Sequence, residues 1–159
     1  MLLNVKASTE AMRALLFHVA MHLDAPPTTT PTRPMCAPGD LVALLTPVVK
    51  AWTTERGFLN VSEAMQVMGG SGYTTDWSVE QYLRDSRIAM IYEGTNHIQA
   101  LDLVGRKLPM GGGRLMKTFA AEVTGFIKAN ADTPAMGEFL GPEGYLQGAH
   151  DGHHAALSP

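Results

Sequence analysis

The residues best suited to chemistry lie in one segment, residues 66–99, which reads QVMGGSGYTTDWSVEQYLRDSRIAMIYEGTNHIQ. Within it, Glu93 follows an apolar run at residues 88–91 and precedes the flexible Gly94. A carboxylate held against apolar surface loses hydration and becomes a stronger base. We therefore expect the Glu93 side chain to be shielded from water and able to accept a proton. The alternative is a solvated acid near a helix start, stabilised by the helix dipole.

Three glycines, Gly69, Gly70 and Gly72, form a second feature of this segment. Glycine accepts positive φ and lets another molecule approach the backbone closely. Bare amide donors at such a turn form an anion-binding nest, and a left-handed Gly69 or Gly70 can equally serve as a helix C-cap. The two interpretations are compatible. We expect Glu93 to lie near this turn, which is not a Rossmann fingerprint because no strand pattern precedes it.

Taken together, these residues resemble a known family. Residues 66–73, 84–85 and 91–96 occur in the order and spacing of the carboxyl-terminal helical domain of acyl-CoA dehydrogenases, flavoproteins that desaturate acyl thioesters between the α and β carbons. The resemblance covers about residues 1–130. The stretch after Leu108 resembles the appended region of larger bacterial relatives, including those acting on methylthiopropanoyl-CoA. Because family members are much longer, we expect a fragment that is inactive alone.

The resemblance implies roles for the residues of the tetrapeptide Tyr92-Glu93-Gly94-Thr95. Glu93 corresponds to the base that removes the α-proton of an acyl-CoA thioester. Its backbone N–H and a flavin hydroxyl would bind the thioester oxygen, where charge develops. Tyr92 and Gly94 correspond to residues that shape the substrate slot, although an aromatic residue in this position can also be part of the core. A non-catalytic helical oligomerisation module derived from the family is the alternative function.

The resemblance also implies FAD as the cofactor. Gln66, Gly69 and Gly70 correspond to residues that contact the FAD pyrophosphate, usually from a neighbouring subunit. Thr95 and His97 correspond to residues that contact the nucleotide, although glutamine or glutamate commonly stands at the position of His97, which could simply be a surface histidine. The implied partners are the acyl-CoA substrate, further copies in a homo-oligomer, and an electron acceptor such as an electron-transfer flavoprotein.

Composition narrows the remaining possibilities. The net charge of -3 over 159 residues favours neither nucleic acid nor an anionic membrane as a partner. Cys36 is the only cysteine, which excludes an intrachain disulfide and fits a reducing cytoplasm. Neither a signal-peptide core nor a membrane-spanning run is evident. We predict a cytoplasmic protein.

Histidines form two groups that could suggest a metal site. His18 and His22 are four residues apart, and His150, His153 and His154 cluster near the carboxyl terminus. The first pair lacks the glutamate of a metalloprotease helix, and no cysteine or carboxylate cluster completes either set. We predict no metal site.

Apolar spacing predicts an all-α fold, an antiparallel up-and-down bundle of about four main helices plus an extra carboxyl-terminal helix. The predicted helices cover residues 2–24, 40–68, 78–88, 95–108 and 114–131. We expect residues 1–108 to form the bundle, with a Pro/Thr-rich linker at 25–39. Residues 109–140 are predicted to form an appended helical region, and 141–159 a disordered tail.

Several local signals predict where these helices begin and which side they bury. Asp40 is a predicted N-cap, and Ser78 with Gln81 a predicted capping box. Pro47 should either kink its helix or start a new one capped by Thr46. The side chains expected to face inwards are Met12, Leu15, Leu16, Val19, Ala20 and Leu23 in the first helix, Ile98, Leu101, Val104 and Leu108 in the fourth, and Leu115, Phe119, Ala120, Val123, Phe126 and Ile127 in the last.

Overall fold

The structure is a computed structural model, and it describes residues 1–24, 38–133 and 136. Its five helices are α1 (Leu2–Asp24), α2 (Pro38–Met68), α3 (Val79–Ile88), α4 (Asn96–Asp102) and α5 (Met110–Asn130). A 3₁₀ turn, Gly69–Tyr73, follows α2, and a π-helical turn, Leu103–Lys107, extends α4. The described residues contain no strand, and the predicted all-α class is confirmed.

The chain divides into two compact units, Met1–Leu115 and Met116–Pro159. The first unit contains α1 to α4, and α5 begins in the first unit and ends in the second. Most of the predicted linker and the whole predicted tail lie outside the described residues. Pro38 and Gly39, predicted as linker, belong instead to the first turn of α2. None of the described helices has both the length and the apolar content needed to cross a membrane.

Polar contacts define how α1 lies against α2. The Ser8 hydroxyl donates to Oδ1 of Asn60 at 2.8 Å, and Nδ2 of Asn60 donates to the Thr9 hydroxyl at 3.2 Å. Because these contacts join the start of α1 to the later part of α2, the two helices run antiparallel. Within the predicted stripe of α1, Val19 is buried, whereas Leu16 and Leu23 are exposed, contrary to prediction.

Helix α2 continues unbroken through Pro47, whose ring is almost completely buried. Thr46 does not cap a new helix, because its hydroxyl donates back to the Val42 carbonyl at 2.6 Å. Threonine hydroxyls commonly make this bond inside a helix. The alternative of two separate helices is therefore wrong. Leu41, Leu44 and Leu45 are buried on this helix.

The predicted N-cap of α2 is also wrong. The helix begins at Pro38, where the first turn needs no amide donor, and Asp40 lies inside that turn. The Asp40 side chain is buried and its Oδ1 accepts a hydrogen bond from Nη2 of Arg114 at 2.9 Å. The carboxylate that was expected to cap α2 is therefore paired with Arg114, which lies 74 residues further along the chain.

Helices α3 and α4 differ in how they begin. Ser78 precedes α3, but its side chain makes no capping bond, and Nε2 of Gln81 donates to Asp85 Oδ1 at 2.8 Å. The predicted capping box is therefore wrong. Thr95 does cap α4, because its hydroxyl oxygen accepts from the Ile98 N–H at 3.4 Å.

The predicted inward face of α4 is mostly open to solvent. Ile98, Leu101 and Val104 are 52%, 68% and 65% exposed, and only Leu108 is half-buried. The prediction was wrong for these three side chains because an apolar stripe requires a facing element, and the described residues provide none for it.

Three consecutive glycines begin α5. Gly111, Gly112 and Gly113 have φ values of 59°, 65° and 80°, a left-handed turn that residues with a side chain rarely adopt. The right-handed part of α5 starts at Arg114. It ends at Asn130, one residue before its predicted end. Leu115 is fully buried in the first unit, as predicted, whereas Phe126 in the second unit is exposed, contrary to prediction.

Candidate active site

Glu93 occupies a tight turn between α3 and α4. The Tyr92 N–H donates to the Ile88 carbonyl at 3.1 Å, and the Asn96 N–H donates to the Met90 carbonyl at 3.3 Å. These bonds close the turn around Glu93 from both sides. In the described part of the chain, Glu93 is the one residue other than glycine with positive φ, at 54°. A side chain in this region costs about 1–3 kcal/mol, and such residues concentrate at functional sites.

The surroundings of Glu93 differ from the sequence-based expectation. Its side chain is exposed, and so are the neighbouring Ile91 and Tyr92. The expected apolar shielding is therefore absent, because residues 88–91 do not fold over the carboxylate and no other described residue covers it. What this part of the chain does determine is the backbone conformation of Glu93.

The Gln99 side chain, from the following helix, contacts the backbone of this turn. Its Nε2 donates to the Glu93 carbonyl at 3.3 Å and to the Gly94 carbonyl at 3.2 Å. Gly94 has φ of 80°, and a Cβ atom placed on it would lie 2.9 Å from Nε2 of Gln99. Glycine is thus favoured at position 94 both by the backbone conformation and by the close approach of this side chain.

Asn96 attaches the same turn to α2. Its Oδ1 accepts from Lys50 Nζ at 3.0 Å and from the Thr54 hydroxyl at 3.2 Å, and its Nδ2 donates to the Ala51 carbonyl at 3.2 Å. Sequence reasoning missed Lys50, Thr54 and Gln99. The four-residue spacing of Lys50 and Thr54, which puts two polar groups on one side of α2, was the available signal.

The glycine turn lies at the end of α2. Gly69 has φ of 60° and follows the last helical residue, so the predicted left-handed C-cap is confirmed at Gly69. Gln66, Gly69 and Gly70 are exposed, and no atom lies within 4 Å of a Cβ built on either glycine. The outer side of this turn is bare backbone.

Gly72 has a different surrounding from the two glycines before it. It is buried, and a Cβ there would lie 2.9 Å from both the Met65 carbonyl oxygen and the Met68 Cβ. Its role is close packing of the turn against α2.

The Glu93 turn and the glycine turn are attached to different parts of α2. Asn96 bonds to the carbonyl of Ala51, whereas Gln66 lies fifteen residues further along the helix, about 22 Å at 1.5 Å per residue. The expectation that Glu93 lies near the glycine turn is therefore wrong within one chain. The helix that carries both segments also keeps them apart.

The other predicted site residues lie beside Glu93. Tyr92, Gly94, Thr95 and His97 are all exposed and lie in the turn or in the first turn of α4. The Thr95 oxygen is used as the helix cap, and no described residue accepts a bond from its hydroxyl hydrogen.

Arg84 and Asp85, which are part of the family resemblance, form contacts within α3. Nε of Arg84 lies 3.2 Å from Oε2 of Glu80, and Asp85 accepts from Gln81. These i, i+4 pairs give both residues a contact within α3.

Comparison with known proteins identifies the family to which the chain belongs. Residues 1–108 match the family model described as "Acyl-CoA dehydrogenase, C-terminal domain". The chain therefore belongs to the acyl-CoA dehydrogenase family, and the predicted family is confirmed.

Particular relatives refine this comparison. The chain is 40% identical over 120 residues to 3-methylmercaptopropionyl-CoA dehydrogenase of Ruegeria pomeroyi, covering 76% of this chain and 20% of that protein. It is 34% identical over 134 residues to a butyryl-CoA dehydrogenase of Syntrophomonas wolfei, covering 84% of this chain and 22% of the relative. The chain thus spans about a fifth of the length of these relatives.

A solved structure shows the same fold. The structure described as Bd2924 in its apo form superposes with a TM-score of 0.62 at 26% identity, covering 74% of this chain and 23% of that one.

Proposed function

We propose that this chain supplies the catalytic base for FAD-dependent α,β-dehydrogenation of an acyl-CoA thioester, and that Glu93 is the base. The observation that carries the proposal is the left-handed backbone of Glu93, the residue that the sequence resemblance pairs with the family's acidic base. Such a conformation persists only where the surrounding structure holds it, and Gln99 and Asn96 do so here.

Two groups of Glu93 would act together. A carboxylate oxygen accepts the α-proton, and the electron pair of that C–H bond enters the new double bond. The Glu93 N–H donates to no described residue, so it remains available to the thioester oxygen, where negative charge develops. Tyr92 and Gly94 would border the substrate beside this N–H. When bound, FAD supplies the acceptor for the hydride that leaves the β-carbon.

The proposed FAD contacts are compatible with the geometry of the chain. The exposed turn at Gly69 and Gly70 offers bare backbone to a pyrophosphate, with Gln66 beside it. Thr95 and His97 are exposed near Glu93 and would contact the nucleotide. Since the two groups are attached about 22 Å apart on α2, we assign them to FAD sites shared between copies in a homo-oligomer.

The exposure of Glu93 supports a further part of the proposal. A base in this reaction needs a poorly hydrated site, and the described residues do not enclose Glu93. We therefore propose that additional domains, as in the longer relatives, complete the site, and that the isolated chain does not turn over substrate. An electron-transfer flavoprotein would reoxidise the flavin, and the cytoplasm is the proposed location.

A domain exchange tests the role of Glu93. The matching segment of the Ruegeria pomeroyi enzyme would be replaced by the corresponding part of this chain, and bleaching of bound flavin by 3-methylmercaptopropionyl-CoA would be followed without oxygen. We expect Glu93→Gln to slow bleaching by about 10²-fold or more, because a positioned base typically contributes about 10²–10⁴-fold.

Glu55→Gln provides the matched control, since Glu55 is an exposed acid within α2. It should bleach at the rate of the unsubstituted chimera. Equal bleaching rates for the Glu93→Gln variant and the unsubstituted chimera would show that Glu93 is not the base.

A non-catalytic oligomerisation module is the second candidate, and the exposed apolar face of α4 favours it. Leu101 and Val104 are more than half exposed on that face. Sedimentation of the 159-residue chain, with Leu101→Lys as the variant, would test whether this face joins copies. Self-association that Leu101→Lys abolishes, combined with a chimera that does not bleach, would favour the module.

A further inference from the structure

We infer that Gln99 is a positioning residue that holds Glu93 in its left-handed conformation through the side-chain amide. The inference rests on the proposed function for the importance of Glu93. The conformation itself, however, is measurable in the chain without turnover. The two ideas can therefore fail separately.

The hydrogen-bonding capacity of the Gln99 side chain matches the two groups it contacts. Both partners are carbonyl oxygens, of Glu93 at 3.3 Å and Gly94 at 3.2 Å, and each requires a donor. Nε2 carries two hydrogens, so one amide group can serve both acceptors, which a carboxylate of the same length cannot do. The Gly94 site leaves room for this amide, because a Cβ there would lie only 2.9 Å from it.

The backbone of Gln99 is itself held in place. The Gln99 N–H donates to the Thr95 carbonyl at 3.1 Å, within the first turn of α4. Asn96, in the same turn, bonds through its side chain to the Ala51 carbonyl of α2. Gln99 therefore connects the Glu93 turn to a helix that is attached to α2, the longest of the described helices.

Loss of the amide should release the turn. Without Gln99 Nε2, neither carbonyl has another donor among the described residues, and the left-handed Glu93 loses the contacts that favour it. The bond from the Asn96 N–H to the Met90 carbonyl, which spans Glu93, would then have to hold the turn without the amide. Opening of this bond is observable by hydrogen exchange at the Asn96 amide.

The test is NMR of the isotopically labelled 159-residue chain. A left-handed residue gives a strong cross-relaxation signal between its own amide and α protons. We expect Gln99→Leu to weaken this signal at Glu93 and to accelerate exchange of the Asn96 amide about fivefold, as expected for the loss of a modest hydrogen bond. Gln81→Leu is the matched control, because Gln81 bonds only to Asp85 within α3.

Two further variants separate positioning from general stability. Gln99→Asn keeps the amide but is one methylene too short, and it should behave like Gln99→Leu. Glu93→Gly removes the side chain that disfavours the left-handed region, so adding Gln99→Leu to it should change Asn96 exchange less than in the native chain. Unchanged Glu93 signals and unchanged exchange in both Gln99 variants would overturn the inference.

The domain-exchange chimera distinguishes this inference from the proposed function. Gln99→Leu should slow flavin bleaching at saturating thioester while leaving the half-saturating thioester concentration within about twofold, because geometry at the base affects the chemical step. Normal bleaching in the Glu93→Gln chimera would overturn the proposed function but not the inference about Gln99. The NMR result would still decide what Gln99 does to Glu93.

Discussion

The Asn96 side chain joins α4 to α2 by donating from Nδ2 to the Ala51 carbonyl at 3.2 Å. Its Oδ1 accepts from Lys50 and Thr54 at the same place, so one amide uses both its donor and its acceptor on a single turn of α2. The Asn96 side chain, three residues after Glu93, therefore contributes to the position of the Glu93 turn along α2.

Asn96→Ala should lower the free energy of unfolding by about 1–3 kcal/mol, because it leaves part-buried polar groups of α2 without their partner. Urea unfolding followed by circular dichroism measures this change. Asn130→Ala is the control, since the described partner of Asn130 Nδ2 is the Phe126 carbonyl in its own helix. Similar losses in the two variants would contradict the special role of Asn96.

Glu93→Gly should stabilise the chain by about 0.5–1 kcal/mol. Glycine removes the left-handed strain at Glu93, worth about 1–3 kcal/mol, and returns part of that gain through its greater backbone freedom when unfolded. The same substitution at Glu55, inside α2, should destabilise by about 1 kcal/mol. Thermal and urea unfolding would show whether each substitution raises or lowers the free energy of unfolding. Destabilisation at both positions would argue against strain at Glu93.

Alanine substitutions at three glycines should give three different results. Gly72→Ala should destabilise by about 1–3 kcal/mol, because its Cβ would meet the Met65 carbonyl and Met68 at 2.9 Å. Gly57→Ala should stabilise by about 0.5–1 kcal/mol, since Gly57 lies inside α2 with open space around it. Gly70→Ala should be nearly neutral. Unfolding midpoints would test this order, and a neutral Gly72→Ala would show that the turn can move away from α2.

The pKa of Asp102 should respond to Arg106. A hydrogen bond from Arg106, assisted by the positive charges of Arg106 and Lys107, lowers the pKa of the Asp102 carboxyl below its ordinary value. A lowered folded-state pKa means that the contribution to stability is present above the unfolded-state pKa and is lost as the pH falls through the folded-state value. NMR titration of Arg106→Leu should show the Asp102 pKa rising.

Arg84→Leu is the control for this titration, because Arg84 pairs with Glu80 on a different helix. It should leave the Asp102 titration unchanged. An Asp102 pKa that does not rise in Arg106→Leu would contradict the assigned cause.

Features that depend on neighbouring residues were predictable from the sequence. The ends of α1 at Asp24 and of α3 at Ile88, the cap at Thr95 and the left-handed Gly69 all follow from local backbone chemistry. Predictions failed where another group competed for the predicted side chain. Asp40 could have capped α2, but Arg114 takes its carboxylate. Gln81 could have completed a capping box, but its side chain donates a hydrogen bond to Asp85, four residues further along α3.

The second group of wrong predictions concerned which apolar side chains are exposed. The stripe of Ile98, Leu101 and Val104 was predicted from spacing alone. Spacing shows which side chains share a face, but not whether another element lies against that face. The same reasoning explains why the prediction of a shielded Glu93 carboxylate, made from the apolar run before it, was wrong.

The sequence by itself determined the all-α class, the family, and the order of the glycine turn and the acidic tetrapeptide, because these depend on residue types at short spacing. Tertiary structure alone decided that Glu93 is left-handed, that Gln99 and Asn96 hold it, and that the glycine turn lies far along α2. Hydrogen bonds between α2 and the Glu93 turn join residues more than forty positions apart, and no local pattern encodes which of many polar side chains will meet.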